Sequence, residues 1–288
     1  MKILFIADFS LQHNSGGAQV SNDILIRAGK DRDHEIHQMF SDSNLSTIDL
    51  IKFIGENKYD YIISSNLEVI SRQAGLLDLL YMLPNHIRVE RDMNLYLSEE
   101  ARHKLFSNCV KTFFLTDYHY QQFRNFYGDY FQNVEILPSP FDTEKFIDKK
   151  TKRLPLTLYS GFCHSFKGTN VFIRYAKENP DRKFICSCWG DDYYINQIKS
   201  LSNVEFIGKT DYKDMPDLYN KVDTFFYQPN MHEPLCRSVT EAVLCGVPNM
   251  ILNDKIGATH EIERVGLDSF RETCGNSAQL FWQILEDM

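Results

Sequence analysis

Several things are scarce in these 288 residues, and each scarcity excludes a class. There is no basic excess: 31 Lys and Arg stand against 39 Asp and Glu, for a formal charge of −8. Phosphate neutralisation along a polymer needs a basic face, so nucleic acid is not an expected partner. There is no long apolar run. Ile3–Ala7 stops at Asp8, and the stretch from Ala74 to Leu83 is broken by Asp78, both far short of the roughly 20 residues of a spanning helix. A cleaved leader is not expected either, because Asp8 ends the apolar start too soon. A cytoplasmic protein follows, with peripheral contact through one face as the membrane role compatible with it. Gly at 14 and Pro at 9 are too few for a low-complexity chain. The seven cysteines form no C-x-x-C pair, and Cys186-x-Cys188 puts two thiols on one side of a strand. Reduced, buried thiols are the expectation. The nine histidines include no H-x3-H or H-E-x-x-H, and Asp191-Asp192 lacks D-x-D spacing, so no metal is expected.

What is present is a rhythm. Short apolar runs alternate with amphipathic stretches of helix length, the pattern of an open parallel α/β sheet. Strands are expected at Ile3–Ala7, Glu35–Phe40, Tyr59–Ser64, Ile87–Glu90, Thr112–Thr116 and Val134–Leu137. Pro138-Ser139-Pro140 and the charged run Asp148–Arg153 interrupt this. The alternation then restarts, with strands at Leu156–Ser160, Lys183–Ser187, Val204–Ile207, Thr224–Tyr227 and Asn249–Leu252. The organisation expected is a Rossmann-like domain over 1–138, a hinge over 139–153 and a second Rossmann-like domain over 154–275. A C-terminal helix over 276–288 would pack back on the first domain. Loops at the carboxyl ends of such strands are the default ligand site.

Three segments carry chemistry. Ser15-Gly16-Gly17 lies between a strand and a helix, where backbone can approach an anion. It is neither G-x-G-x-x-G nor a Walker loop, which disfavours a nicotinamide-dependent oxidoreductase. Gly161 to Gly168 follows the first strand of the second half, and Lys167 at its helical end can neutralise a phosphate. The third runs from Tyr227 to Pro248. Glu233 precedes a helix that Pro234 suits, and Glu241 lies two turns into it. Two carboxylates so placed suit the hydroxyl pairs of sugars and ribose.

These segments occur in the order seen in one family. Leu137-Pro138-Ser139-Pro140-Phe141-Asp142, Ser160-Gly161 with Lys167-Gly168, and Asn203 to Gly208 come first. Asp217-Leu218-Tyr219, Glu233-Pro234 through Glu241-Ala242, Gly246-Val247-Pro248 and Ile256-Gly257-Ala258 with Glu261-Ile262 follow. The chain resembles the retaining GT-B glycosyltransferases of family 4, and the agreement of several motifs in one order is more specific than any one of them. The resemblance implies two Rossmann-like domains facing across a cleft, and sugar transfer from a nucleoside-diphosphate sugar to an acceptor hydroxyl on a glycan, lipid or protein. It implies no cofactor and no metal, because lysine, arginine and helix amides stand in for the cation. Lys167 would bind the diphosphate, Glu233 the transferred sugar and Glu241 the ribose. The backbone at Leu235, Cys236 and Arg237 would face sugar or phosphate, as would Gly16 and Gly17 from the other domain.

The chain also departs from that pattern. Phe162 stands where the family has an arginine, which assigns the missing charge to His164 or Arg237. Cys236 and Ile256 stand where it has glycines. Arg88 to Asp92 holds no histidine where many members have one near the reacting centre, and Asp92 or Arg91 takes that place. These departures motivate a second expectation, a nucleotide-sugar-binding protein of the same fold with weak or lost turnover. The aromatic run Tyr118, His119, Tyr120, Phe123, Phe126, Tyr127, Tyr130 and Phe131 reads mainly as core, with an acceptor surface as its alternative.

Overall fold

The computed structural model describes residues 1–11, 16–40, 46–66, 73–93, 98–128 and 131–288; Ser15 of the glycine loop and Tyr130 of the aromatic run lie outside them. The chain divides into two compact units, Met1–Phe141 with Glu272–Met288, and Asp142–Arg271.

The first unit contains β1 (Lys2–Ala7), α1 (Gly17–Lys30), β2 (Glu35–Phe40), α2 (Thr47–Asn57), β3 (Tyr61–Ser65) and α3 (Leu76–Met82). It continues with β4 (His86–Val89), α4 (Glu99–Phe106), β5 (Lys111–Phe114), α5 (Asp117–Tyr127) and β6 (Val134–Ile136). Its sheet has the order β2-β1-β3-β4-β5-β6, and every pairing is parallel. Such a sheet must be covered on both faces, and β1 shows how. Leu4 and Ile6 enter a core with Leu50, Leu80, Phe106 and Phe123, while Ile3, Phe5 and Ala7 enter another with Leu25, Phe113 and Trp282. Period-two side-chain alternation thus feeds both helical layers from one apolar run. Side chains start the helices: Ser46 and Asp49 close a capping box on α2, and Thr116 Oγ1 accepts from His119 N at 3.0 Å on α5. Of the aromatic run, Phe123, Tyr127 and Phe131 are core and Phe126 is exposed.

The second unit contains β7 (Leu154–Cys163), α6 (Thr169–Glu178), β8 (Lys183–Gly190), α7 (Asp192–Lys199), β9 (Val204–Phe206), α8 (Met215–Lys221), β10 (Val222–Tyr227), α9 (Arg237–Leu244), β11 (Asn249–Leu252) and α10 (Gly257–Val265). Its sheet is again parallel, in the order β11-β10-β7-β8-β9. Phe172 of α6 stacks on Tyr159 at 4.4 Å on one face, and Tyr219 of α8 meets Phe225 at 5.7 Å.

Three readings of the sequence need correction. β7 and β8 run past Ser160 and Ser187 to Cys163 and Gly190, because each supplies the other's ladder; Gly161 and Gly190 stay in the strands at φ of 138° and 132°. That register carries Cys163 and Cys188 to one face with Cα atoms 6.0 Å apart, and the structure joins them as a disulfide where reduced thiols were expected. The last helix, α11 (Leu267–Glu286), begins well before residue 276, since Phe270 and Cys274 extend the buried stripe that Ala278, Phe281, Trp282 and Leu285 continue. Its part from Glu272 onward belongs to the first unit, where Trp282 Nε1 donates to Leu25 O at 2.8 Å. None of the described helices is long and apolar enough to cross a membrane.

Candidate functional site

In a parallel sheet, loops and helix N-termini gather at the carboxyl ends of the strands. In the second unit that end holds the predicted residues. β7 runs out through Gly161, Phe162 and Cys163 into a 3-10 turn at Ser165–Lys167, and Gly168 at φ 77° turns the chain into α6. Gly168 is required there: a Cβ would lie 1.9 Å from Gln228 O. Backbone therefore meets backbone where the two loops cross, and Asn230 N fixes the crossing by donating to Phe166 O at 3.0 Å. His164 caps the turn, with Nδ1 accepting from Phe166 N at 3.3 Å and its ring 4.4 Å from that of Phe166.

The crossing brings Lys167 to Glu233. Lys167 Nζ donates to Glu233 Oε1 at 2.6 Å, and both side chains are partly exposed. Glu233 sits on a rigid base: its N donates to Lys255 O at 2.8 Å and its O accepts from Gly257 N at 2.9 Å. Tyr227 OH, from the end of β10, donates to the same Oε1 at 2.9 Å. Sequence reasoning missed Tyr227 because a tyrosine closing an apolar strand reads as core. Burial and the Glu233 charge hold its phenol protonated, well above the ordinary range.

α9 starts at this place. Cys236 precedes it at φ 70°, a left-handed conformation that favours glycine. The glycine usual at that position in the resembling family has a physical reason, and the cysteine bears the strain. Ile256, at φ −119°, needs no glycine. Leu235 O accepts from Ala258 N at 3.0 Å, and Arg237 opens the helix. The first amides of a helix have no partner within it, so this end offers donors to an anion.

Glu241 lies deeper than its spacing from Glu233 suggests. It is buried, and Tyr219 OH donates to its Oε2 at 3.3 Å. Arg237 Nε lies 3.5 Å from its Oε1, while Arg237 Nη2 donates to Tyr212 OH at 2.9 Å. Burial pushes the Glu241 carboxyl up to about 7, against the opposing pull of Arg237. Arg237 therefore serves a buried carboxylate first. Phe162 is half-exposed beside Trp189, and Asp191 caps α7 by accepting from Tyr193 N at 2.9 Å.

In the first unit, Gly16 and Gly17 start α1. Asp92 follows β4, and its Oδ2 accepts from Asn66 Nδ2 at 2.5 Å. The turn that carries it is fixed by Glu90, which accepts from the N of Arg91 and of Asp92 with one oxygen and from Arg88 with the other. Arg91 is engaged by Asn22, Ser65 and Ser139. A histidine does stand beside Asp92. His119 of α5 approaches Asp92 O with Nε2 at 3.2 Å, and its Nδ1 accepts from Leu115 N at 3.3 Å. This arrangement fixes the tautomer protonated at Nε2, and burial holds the ring neutral by pulling its pKa down to about 3.

An open groove of about 820 Å³, lined by Pro155, Arg182, Asp223 and Asn249 among others, lies at the amino ends of the second sheet, away from Lys167 and Glu233. The converging donors and carboxylates at the carboxyl end are the better guide to chemistry.

The chain is similar to known proteins over part of its length. It is 31% identical over 101 residues to a 42.6 kDa protein of the cps region of Klebsiella pneumoniae, covering 34% of this chain and 26% of that one. It is 29% identical over 130 residues to spore coat protein SA of Bacillus subtilis, covering 40% and 34%. The matched stretches thus span about a quarter and a third of these two relatives. Among solved structures, Anabaena HepE in complex with UDP superposes with a TM-score of 0.70 at 14% identity, covering 100% of both chains. At that identity the likeness concerns the fold, two parallel Rossmann-like sheets of the GT-B kind. The profile of the glycosyl transferases group 1 matches residues 140–284. That stretch is just over half of the 288 residues and includes both Lys167 and Glu233, and the chain belongs to the glycosyl transferases group 1 family.

Proposed function

We propose that this protein transfers a sugar from a UDP- or GDP-sugar to an acceptor hydroxyl, with retention of the anomeric configuration. The observation that carries the reading is the meeting of Lys167 and Glu233 at 2.6 Å beside the start of α9. A cation, a carboxylate and helix amides converge there, and a nucleoside-diphosphate sugar needs all three. Lys167 and the amides of α9 take the diphosphate, and Glu233 takes hydroxyls of the sugar. Glu241, one turn into the same helix, serves the ribose. In the bond-breaking step, charge grows on the departing diphosphate and on an oxocarbenium-like sugar. Lys167 and the amides stabilise the first without a metal ion, and the acceptor attacks on the face the diphosphate leaves. UDP in the fold-related HepE complex supports this donor class. The acceptor is a carbohydrate, lipid or protein hydroxyl, met in the cytoplasm or at a membrane face.

A second reading, a donor-binding protein with little turnover, is favoured by two observations: Phe162 stands where the resembling family has a cation, and Arg237 is engaged by Glu241. Mass spectrometry separates the two. Incubation with a panel of UDP- and GDP-sugars and candidate acceptors yields a glycosylated product, and proton NMR of that product reports the donor's anomeric configuration. Glu233→Ala abolishes the product without unfolding the protein. Nucleotide binding without transfer or donor hydrolysis would establish the second reading instead.

A further inference from the structure

Glu233 Oε1 accepts two hydrogen bonds, and the two donors differ in kind. Lys167 Nζ, at 2.6 Å, ends a flexible four-carbon stem on a short turn, and 30% of its side chain is exposed. Tyr227 OH, at 2.9 Å, ends a rigid ring on β10 and is 3% exposed. A Cβ added to Gly161 on the neighbouring strand would lie 4.0 Å from that ring, which shows how closely β7 passes it. An incoming diphosphate competes with Glu233 for Lys167, since both are anions within reach of one ammonium. Tyr227 has no such choice. Its hydroxyl is neutral, buried and fixed in place.

Accordingly, we propose that Tyr227 is a positioning residue: its hydroxyl holds Glu233 Oε1 in place when Lys167 turns to the diphosphate, so that Oε2 is presented to the hydroxyls of the transferred sugar. This rests on the reading of the site as the donor site. It separates two binding tasks. Phosphate affinity belongs to Lys167, and orientation of the sugar belongs to the Tyr227–Glu233 pair.

Tyr227→Phe removes one oxygen and keeps the ring, so packing is preserved. With UDP-glucose or GDP-mannose, whichever the wild-type protein binds, kcat for transfer or donor hydrolysis falls about tenfold or more, as loss of a hydrogen bond to a charged group implies. KM and the Kd of the free nucleoside diphosphate each change less than twofold. Equal losses in nucleotide and nucleotide-sugar affinity would reduce Tyr227 to a packing role, and unchanged kcat would overturn the proposal. The contact itself is tested without ligand on protein carrying 13C-labelled glutamate. The Glu233 carboxyl resonance, assigned by its loss in Glu233→Gln, shifts in Tyr227→Phe and not in Tyr175→Phe, a control whose hydroxyl accepts from Arg182 Nη1 at 3.2 Å instead. An unmoved resonance refutes the pairing. A moved resonance together with no binding of either donor refutes the donor-site reading instead, and with it the positioning role.

Discussion

Lys167 and Glu233, 66 residues apart in sequence, meet at 2.6 Å because two loops cross where Gly168 leaves no room for a side chain. The pair is a cation held by an anion at the place assigned to another anion. This predicts opposite effects from its two partners. Lys167→Ala weakens UDP binding about tenfold or more, through the loss of a charge-assisted contact. Glu233→Gln frees Lys167 and removes a like charge, so UDP binds more tightly while sugar transfer is lost. Calorimetry on the two variants reads the signs directly; weaker UDP binding in Glu233→Gln would contradict the arrangement.

Glu241 gives a prediction in pH. Its carboxyl is raised from 4.5 to about 7 by burial. Between those values the folded protein holds a proton that the unfolded chain has lost. The contribution of this residue to stability therefore falls as pH rises through that window and is flat above it, by on the order of 3 kcal/mol in all. In Glu241→Gln this slope disappears. Urea titrations at pH 5 and pH 8 then show the variant gaining on the wild type at the higher pH, and a pH-independent difference would argue against a protonated Glu241.

His86 and His119 act in the other direction. Burial pulls both down to about 3 from 6.5, so the unfolded chain takes up protons in that window that the folded protein does not. Stability contributed by each is full above pH 6.5 and is lost as pH falls toward 3. His119→Gln makes the acid limb of the stability curve shallower by up to one proton, read from midpoint against pH; an unchanged limb would show the ring to be solvated.

The order of elements was legible from apolar runs because a strand buried on both faces leaves little choice of composition. β2 and β11 match their expected bounds. The ends of β7 and β8 were not legible, since Gly161 and Gly190 resemble turn residues until the neighbouring strand is seen to pair with them. Lys167 and Glu233 carry recognisable chemistry at recognisable places. Tyr227 and His119 do not. One looks like core, and the other stands 27 positions from the Asp92 carbonyl that it approaches. The depth of Glu241 depends on Tyr219 and Arg237 closing over it, which spacing does not encode.

Cys236 illustrates a departure whose cost the structure exposes. Its φ of 70° is one that glycine adopts freely and a side-chain-bearing residue adopts at about 1–2 kcal/mol. Cys236→Gly relieves that strain and loses a buried thiol, so its melting temperature stays within a few degrees of wild type, whereas Cys236→Val loses stability markedly. Thermal melts of the two compare them, and equal losses would deny the backbone argument.

The sulfur pair at the ends of β7 and β8 has a simple test as well. Alkylation under denaturing, non-reducing conditions leaves Cys163 and Cys188 linked and modifies the other five thiols. Seven alkylated cysteines would show the pair reduced in solution.

The central claim is that the second unit holds a nucleoside diphosphate through Lys167. A thermal-shift measurement with UDP and GDP at millimolar concentration, on the wild type and on Lys167→Ala, tests it most directly. The wild type melts higher with at least one of the two nucleotides, as expected for a ligand that binds only the folded protein, and Lys167→Ala does not. A wild-type protein whose melting is unmoved by either nucleotide would contradict the account.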